Sequence, residues 1–573
     1  MTVEISRRKL LALAASIPFV DLLSRDRALA SLRPQAAVPG GASKFVSLTP
    51  SRLADTRPDQ GVGGFTRLDA HTIRVQVAGR NGVPADAVAA VINLTVVNAT
   101  VAGYVTAFPT GEALPVASSV NIDRAGQVMA NLVSVRLGTG GAIDVFAQNP
   151  ADIVVDINGA YVPVGVAVAA GRLVALESAF RVLDTRQQGG PVAQGGVQRV
   201  PVGIVVPSTA SAVVVNLTAT DSNGPGFWTG YAAGGARPAS SSVNTDAANQ
   251  TRANQAILPL GDAGGVRGID VFASSGGNLV VDVAGYFTGT SDPVGSEGLF
   301  VPNAPYRALD TRVAPQYGRM YPGWIAEFDY FGRQQSQAVA VNLTATETRG
   351  PGYFTGYPAR TNRPLASNLN ATERNQTIAN HAILRSSTVG VAVYTQSGAS
   401  LVVDVAGYFT GVPAAAPLPA PVNVVPPPPP PAALPYTISM PRLGRTTRVL
   451  EGVGANIVNA GFVGHWPGTG LAGEQSHIVL FAHRTEHGGV LRYMHTFVPG
   501  DEITLTAGDG RVFHYAYNRR DITDDNEADI YNAGLVSPLP SVSLVACSKT
   551  NFLPTDVRFR LVVTFTLVGV DEP

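Results

Sequence analysis

The chain carries one cysteine in 573 residues, and it closes the apolar run Ser543-Leu544-Val545-Ala546-Cys547. A single thiol cannot form an internal disulfide, so its use, if it has one, is chemical. A cysteine attacks acyl carbon as the thiolate, which calls for a basic or cationic neighbourhood, and the oxyanion it generates calls for a positive donor. Two flanking segments hold those groups. Upstream is His477-Ile478-Val479-Leu480-Phe481-Ala482-His483-Arg484, and downstream is Arg558-Phe559-Arg560-Leu561-Val562-Val563. Together they offer an imidazole and a guanidinium to one sulfur, the minimum set for acyl transfer through a thioester.

The elements that must position these groups read as strands. Apolar alternation recurs at Ile438 to Met440, Ile478 to Ala482, Glu502 to Ala507, Val512 to Tyr517, Val542 to Cys547 and Arg558 to Val568. Pro499-Gly500-Asp501 and Gly508-Asp509-Gly510 punctuate them as turns. The economical packing is a closed antiparallel barrel. Cys547 then ends one strand, Arg560 lies on the next, and a loop spans between.

From about Tyr436 onward the sequence resembles the sortases, cysteine transpeptidases that attach proteins to cell walls or to one another. The resemblance rests on ordered blocks: Pro441-Arg442-Leu443-Gly444, Gly464-His465-Trp466-Pro467-Gly468-Thr469, Ile478 to Arg484, Pro499-Gly500-Asp501-Glu502-Ile503, the Cys547 strand, and Arg560-Leu561-Val562-Val563. It covers roughly a quarter of the chain and is nearest the actinobacterial class E or class F type. It implies Cys547 as nucleophile, His483 as acid and base, and Arg560 as oxyanion donor. His477 is assigned to the opposite strand face and His487 to the following loop, which leaves His483. Arg558 shares a face with Arg560, but only Arg560 directly precedes Leu-Val-Val, as the family's arginine does. The family's usual Gly before its histidine is Ala482 here, and its usual Thr before cysteine is Ala546. The latter position is expected beside the substrate groove, where it would bear on substrate preference.

Composition bounds the rest. The 41 basic and 41 acidic residues balance, and charged residues make up only 14% of the chain. That leaves no electrostatic footprint for nucleic acid. Abundant Gly (61) and Pro (42), with many β-branched runs, predict an all-β protein. No cofactor and no metal is expected. The acidic stretch Asp521, Asp524, Asp525, Glu527 and Asp529 is read as a solvated loop rather than a calcium site.

Between about Phe45 and Gly411 the chain repeats itself three times. Asp-Thr-Arg recurs at 55–57, 184–186 and 310–312, a period of about 129 and then about 126 residues. Each copy then carries Asn-Leu-Thr (Asn93, Asn216, Asn342), an asparagine after a serine-rich turn (Asn121, Asn244, Asn370) and Ala-Asn (Asn131, Asn254, Asn380). Each closes on Val-Val-Asp with an aromatic a few residues on: Asp156 with Tyr161, Asp282 with Tyr286, Asp404 with Tyr408. Such a period is domain-sized, so each copy could bury its own core as a β-sandwich or small β-barrel. Pseudo-threefold packing of the copies is left open. The recurring Asp, Arg and Asn are read first as structural. A cell-wall glycan is the ligand class that three equivalent pockets would suit.

The expected organisation is a twin-arginine-type signal over 1–30, containing Ser6-Arg7-Arg8-Lys9, then repeats over 45–165, 172–289 and 298–411. A Pro-rich spacer over 412–435 and a sortase-like domain over 436–573 follow. The resulting expectation is an exported, surface or wall-associated transpeptidase. Its substrate would be a sorting-signal-bearing protein and its acceptor an amine on peptidoglycan or protein. The competing expectation is a surface-binding or structural protein whose sortase-like domain is inactive. Leu434-Pro435-Tyr436-Thr437 resembles the start of a sorting signal, but with Ile438 where Gly would stand.

Overall fold

The computed structural model describes residues 38–60, 62–314, 316–424, 431–534, 540–548 and 558–571. The expected signal segment, most of the proline run and the loop after Cys547 lie outside them. The chain is all-β and divides between Val424 and Val425 into two units.

In the first unit each copy is a two-sheet sandwich. The inner sheet of the first copy orders its strands Ser43–Asp55, Asp152–Pro163, Ala89–Val97 and Met129–Arg136. The second and third copies repeat this order, as Leu173–Asp184, Asn278–Phe287, Ala212–Thr220, Arg252–Pro259 and as Phe300–Asp310, Ser400–Thr410, Ser336–Thr346, Ile378–Arg385. The central strand Ala89–Val97 is buried along nearly its whole length, because both of its faces are covered. Ala90, Ile92, Leu94 and Val96 fill the sandwich of their own copy. Ala89 and Val91 instead join a cluster with Ala212 and Val214 of the second copy and Ala338 and Ala340 of the third. The copies therefore share a core about a pseudo-threefold axis, in addition to their sandwich cores, of which those of the first and third copies are continuous and that of the second is separate.

Aromatic rings fill that shared core. Phe45 stacks on Phe287 at 4.2 Å between centroids, and Tyr161 lies 4.3 Å from Phe300. Strand register pairs Phe45 with Tyr161, Leu173 with Phe287 and Phe300 with Phe409. The positional equivalents of Tyr161 are thus Phe287 and Phe409, one residue beyond the tyrosines that the repeat pattern suggested.

The recurring asparagines tie the copies into a ring. Asn131 accepts from His381 N–H of the third copy (2.8 Å) and donates to Asn342 Oδ1 (2.8 Å). Asn254 accepts from Leu132 N–H of the first copy (3.1 Å) and donates to Asn93 Oδ1 (3.1 Å). Asn380 accepts from Gln255 N–H of the second copy (3.0 Å) and donates to Asn216 Oδ1 (3.1 Å). Asn93, Asn216 and Asn342 each donate onward to a serine carbonyl, of Ser241, Ser367 and Ser118. All six are buried except Asn342, which is partly so. Their pattern of recurrence is that of side chains facing a neighbour, not solvent.

The Asp-Thr-Arg motifs are internal too. Asp55, Asp184 and Asp310 pair with the arginine two residues on, at 2.6, 2.7 and 2.6 Å. Residues 412–424, expected to open a spacer, are held by the third copy. Ala414 N–H donates to Ser386 O (2.8 Å), Trp324 Nε1–H to Val424 O (2.9 Å), and the Asn423 amide bonds both backbone groups of Ile325.

The second unit is a closed eight-stranded barrel. Its strands are β1 (Tyr436–Met440), β2 (Arg445–Glu451), β3 (Val463–His465), β4 (His477–Phe481), β5 (Glu502–Thr506), β6 (Val512–Asp524), β7 (Ser541–Ser548) and β8 (Phe559–Asp571). They close in the order β1-β2-β3-β4-β7-β8-β6-β5. The expected all-antiparallel barrel is corrected at two seams: β2 with β3 and β4 with β7 are parallel. Two short helices, α1 (Ala455–Val458) and α2 (Glu527–Gly534), join them. Tyr436 and Thr437 belong to β1, so the second half of the sorting-signal-like tetrapeptide is built into the barrel wall.

Candidate active site

The parallel seam positions the reactive groups. β4 pairs with β7 from His477 opposite Ser541 to Phe481 opposite Val545, and Ala482 N–H donates to Val545 O (3.4 Å) just past the strand. Continuing that register by two residues sets His483 level with Cys547. An antiparallel seam would have carried the histidine to the far end of the barrel. On the other side β8 runs antiparallel, with Arg560 directly opposite Cys547. Laterally paired residues project from the same side of a sheet, so the sulfur and guanidinium share one face, and the strand parity of β4, extended past Phe481, assigns His483 to it as well.

That face is the outside of the barrel. Ile478, Leu480, Ala482, Val542, Leu544, Ala546, Leu561 and Val563 point inward to a common core. Val479, Val545 and Val562 point outward and pack under Ile530 of α2, with Trp466 and Phe481 alongside. Cys547, His483 and Arg560 continue this outer row beyond the helix and are half-buried. The sulfur is thus neither sealed in hydrocarbon nor fully open.

Several expectations need correction. Ala546, expected beside a substrate groove, is 3% exposed and lines the barrel interior, on the opposite strand face from Cys547. His477 lies on the same face as His483, since six residues is an even step along a strand. It is buried, its Nδ1 2.7 Å from Ser541 Oγ, and burial lowers its pKa to about 4. It stays under α2, out of reach of solvent. The acidic stretch is not a loop: Asp521 and Asp524 end β6, and Glu527 and Asp529 lie in the first turn of α2. Asp525 between them stands 3.6 Å from Arg560.

Two residues that sequence reasoning missed support the site. Asn459, the C-cap of α1, accepts from His483 Nε2 at 2.8 Å. A donor at Nε2 leaves Nδ1 as the lone-pair nitrogen. Arg484, 1% exposed, donates to Cys547 O (3.1 Å) and Ser548 Oγ (3.3 Å), and stands 3.2 Å from His495 Nδ1. Burial lowers its pKa, and the charge of Cys547 opposes that. It therefore clamps the end of β7 and adds positive potential beside the sulfur. No spacing rule reaches Asn459, which precedes His483 by 24 residues in a segment without strand alternation. Arg484 was visible only as the residue after the histidine.

A metal-spaced group, unexpected from the sequence, also occurs here. His483, Glu486 and His487 bring one ligand atom each within 4.8 Å of one another.

Residues 438–568 match the family model described as Sortase domain. Among solved structures, similar ones include sortase E1 from Streptomyces coelicolor with a tripeptide in its active site. It shares 21% identity over 24% of this chain and 88% of that one, with a TM-score of 0.22. The SrtA sortase from Actinomyces oris shares 15% over 25% and 88%, with a TM-score of 0.23. The sortase D5 transpeptidase of Clostridium perfringens shares 25% over 24% and 79%, with a TM-score of 0.20. No curated protein matches the chain.

Proposed function

Taking the carboxy-terminal unit as a sortase domain, we propose that this chain is an exported cysteine transpeptidase in which Cys547, His483 and Arg560 carry the reaction. The observation that supports this reading is the lateral pairing of Cys547 with Arg560 beside a parallel strand whose extension holds His483.

The Cys547 thiolate attacks the threonine carbonyl of a sorting-signal peptide. The C=O electron pair moves onto oxygen, where the Arg560 guanidinium donates to it. As the tetrahedral species collapses, the C–N bond breaks and His483 gives its proton to the leaving amine. The product is a thioester on Cys547. An acceptor amine then attacks that carbon and returns a proton to His483, and the C–S bond breaks to regenerate the thiolate. One amide is exchanged for another with no net redox change. Asp525, 3.6 Å from Arg560, competes for the guanidinium and must yield when the substrate carbonyl docks.

The acceptor is an amine of peptidoglycan or of a second protein. The twin-arginine-type segment serves export, and the ring of repeats serves as spacer or wall-facing module. A cavity of about 290 Å³ where the first and third copies meet is lined by Tyr104, Asn121, Arg307, Arg312 and Thr344. Those hydrogen-bonding groups suit a wall glycan. The competing reading, a surface-binding or structural protein with an inactive sortase-like domain, predicts neither adduct nor transfer in the assay below.

The test is incubation of the full chain with Leu-Pro-x-Thr-Gly and Leu-Ala-x-Thr-Gly peptides and an amine, read by mass spectrometry. The expected result is a peptide adduct on Cys547 and a transfer product, both absent from Cys547→Ala. Transfer that persists in Cys547→Ala would end the proposal.

A further inference from the structure

Beyond the strand end at Phe481 the chain turns through His483-Arg484-Thr485-Glu486-His487-Gly488-Gly489. Within this turn the ligand atoms of His483, Glu486 and His487 lie within 4.8 Å of one another, and the two imidazoles are 5.1 Å apart between centroids, tilted by 39°. His487 holds a left-handed backbone (φ 47°), as do Gly488 and Gly489 after it. Left-handed φ is uncommon for a residue with a side chain, and here it reverses the chain so that the His487 ring comes back beside His483. The third element is Asn459. By accepting from His483 Nε2 at 2.8 Å it fixes the tautomer and ring plane, as the outer partner of a metal-bound imidazole does.

We propose that His483, Glu486 and His487 form a three-ligand site for a divalent transition metal of the zinc type. Two imidazole nitrogens and one carboxylate suit Zn²⁺, Co²⁺ or Ni²⁺ and not Ca²⁺, which takes six or more oxygens. Tetrahedral Zn–N bonds of about 2.0–2.1 Å set donors roughly 3.3 Å apart. The present spacing therefore closes by a small movement of an exposed glycine-rich turn. Three protein ligands leave a fourth position open.

A consequence rests on the transpeptidase reading. Metal bound at His483 occupies the lone pair that must receive and give the proton, so the metal is a reversible inhibitor and chelation restores transfer.

The test uses the untagged full chain, first stripped with a chelator that is then removed. Zn²⁺ is titrated calorimetrically and Co²⁺ by its visible absorption. One site per chain is expected, with His487→Ala and Glu486→Gln each weakening affinity at least tenfold and Cys547→Ala retaining it. Absence of binding, unchanged affinity in both variants, or loss in Cys547→Ala would each overturn the assignment. Peptide transfer is then measured for each protein with and without Zn²⁺, the rate in chelator being its own reference. Wild type should be inhibited and the two variants should resist. Equal inhibition of all three would also overturn it. Ligand-dependent binding in a chain that transfers no peptide even in chelator would uphold the site and defeat the transpeptidase reading instead.

Discussion

Asn254→Ala separates a ring of repeats from three independent beads. In the ring the Asn254 amide accepts from Leu132 N–H and donates to Ser242 O (2.7 Å) and Asn93 Oδ1 (3.1 Å). Alanine orphans all three partners, in a place where Asn93, Leu132 and Asn254 are at most 2% exposed. Each orphaned buried group costs about 1–3 kcal/mol. Water entering the vacated volume recovers part of this, which leaves about 3–6 kcal/mol. An asparagine that merely faced a solvent-filled ligand pocket would cost within about 0.5 kcal/mol. Calorimetry of the full chain converts the difference to temperature. At about 2.1 cal/mol/K per residue, a ring of roughly 380 residues melting together has an unfolding entropy near 0.8 kcal/mol/K, so its transition falls by about 4–8 °C. A single copy of roughly 120 residues has about 0.25 kcal/mol/K and falls by about 12–24 °C, leaving its neighbours unmoved. A uniform shift of the whole repeat transition is the expected result. A shift under about 1 °C would refute the hydrogen-bond argument, and a transition that splits would refute the shared core.

Three further outcomes follow from named contacts. Asn459→Ala frees the His483 ring from its 2.8 Å partner; kcat for peptide transfer should fall by about 10–10²-fold with KM little changed, as expected when general acid–base geometry is lost. An unaltered kcat would remove Asn459 from the site. His381 is buried between Gln255 Oε1 (2.9 Å) and Ser134 Oγ (3.0 Å), and burial lowers its pKa to about 3, below the ordinary 6.5. Its contribution to stability is therefore complete above pH 6.5 and is lost on acidification toward pH 3, at about 1.4 kcal/mol per pH unit. Denaturant titrations across that window should show a shallower slope for His381→Gln, and identical slopes would contradict this. In Gly534→Ala the new Cβ would sit 2.3 Å from Ser543 Oγ and 2.5 Å from His477 Nε2. Seating α2 again should cost about 1–3 kcal/mol, measured as a lower barrel melting temperature, and an unchanged one would mean that α2 does not rest on that row.

What could be read from the residues alone follows how local each signal is. Strand alternation and turn chemistry exposed the all-β character, and the ordered blocks around Cys547 pointed to a sortase domain. Periodicity, however, reports that a strand exists and not which way its neighbour runs. The parallel seam between β4 and β7 was missed for that reason, although it is the seam that sets His483 level with Cys547. Parity along a strand was available and misapplied for His477. For Ala546 the resemblance implied a place beside the groove, whereas adjacent residues on a strand face opposite sides and this one lines the barrel core. The asparagines were visible as a pattern, but their partners lie more than 120 residues away in other copies, and no single-copy argument finds them.

Closing three sandwiches on one axis within a single polypeptide has a consequence that association of identical subunits could not deliver. The residues that follow Asn131, Asn254 and Asn380 are Leu132, Gln255 and His381. A homotrimer would be forced to bury the same side chain three times at that spot, three imidazoles or three amides competing for one small volume. Covalent linkage lets the centre hold one hydrocarbon, one amide and one imidazole, with the last two bonded to each other. The three copies are alike in strand order and, at their shared centre, no longer interchangeable.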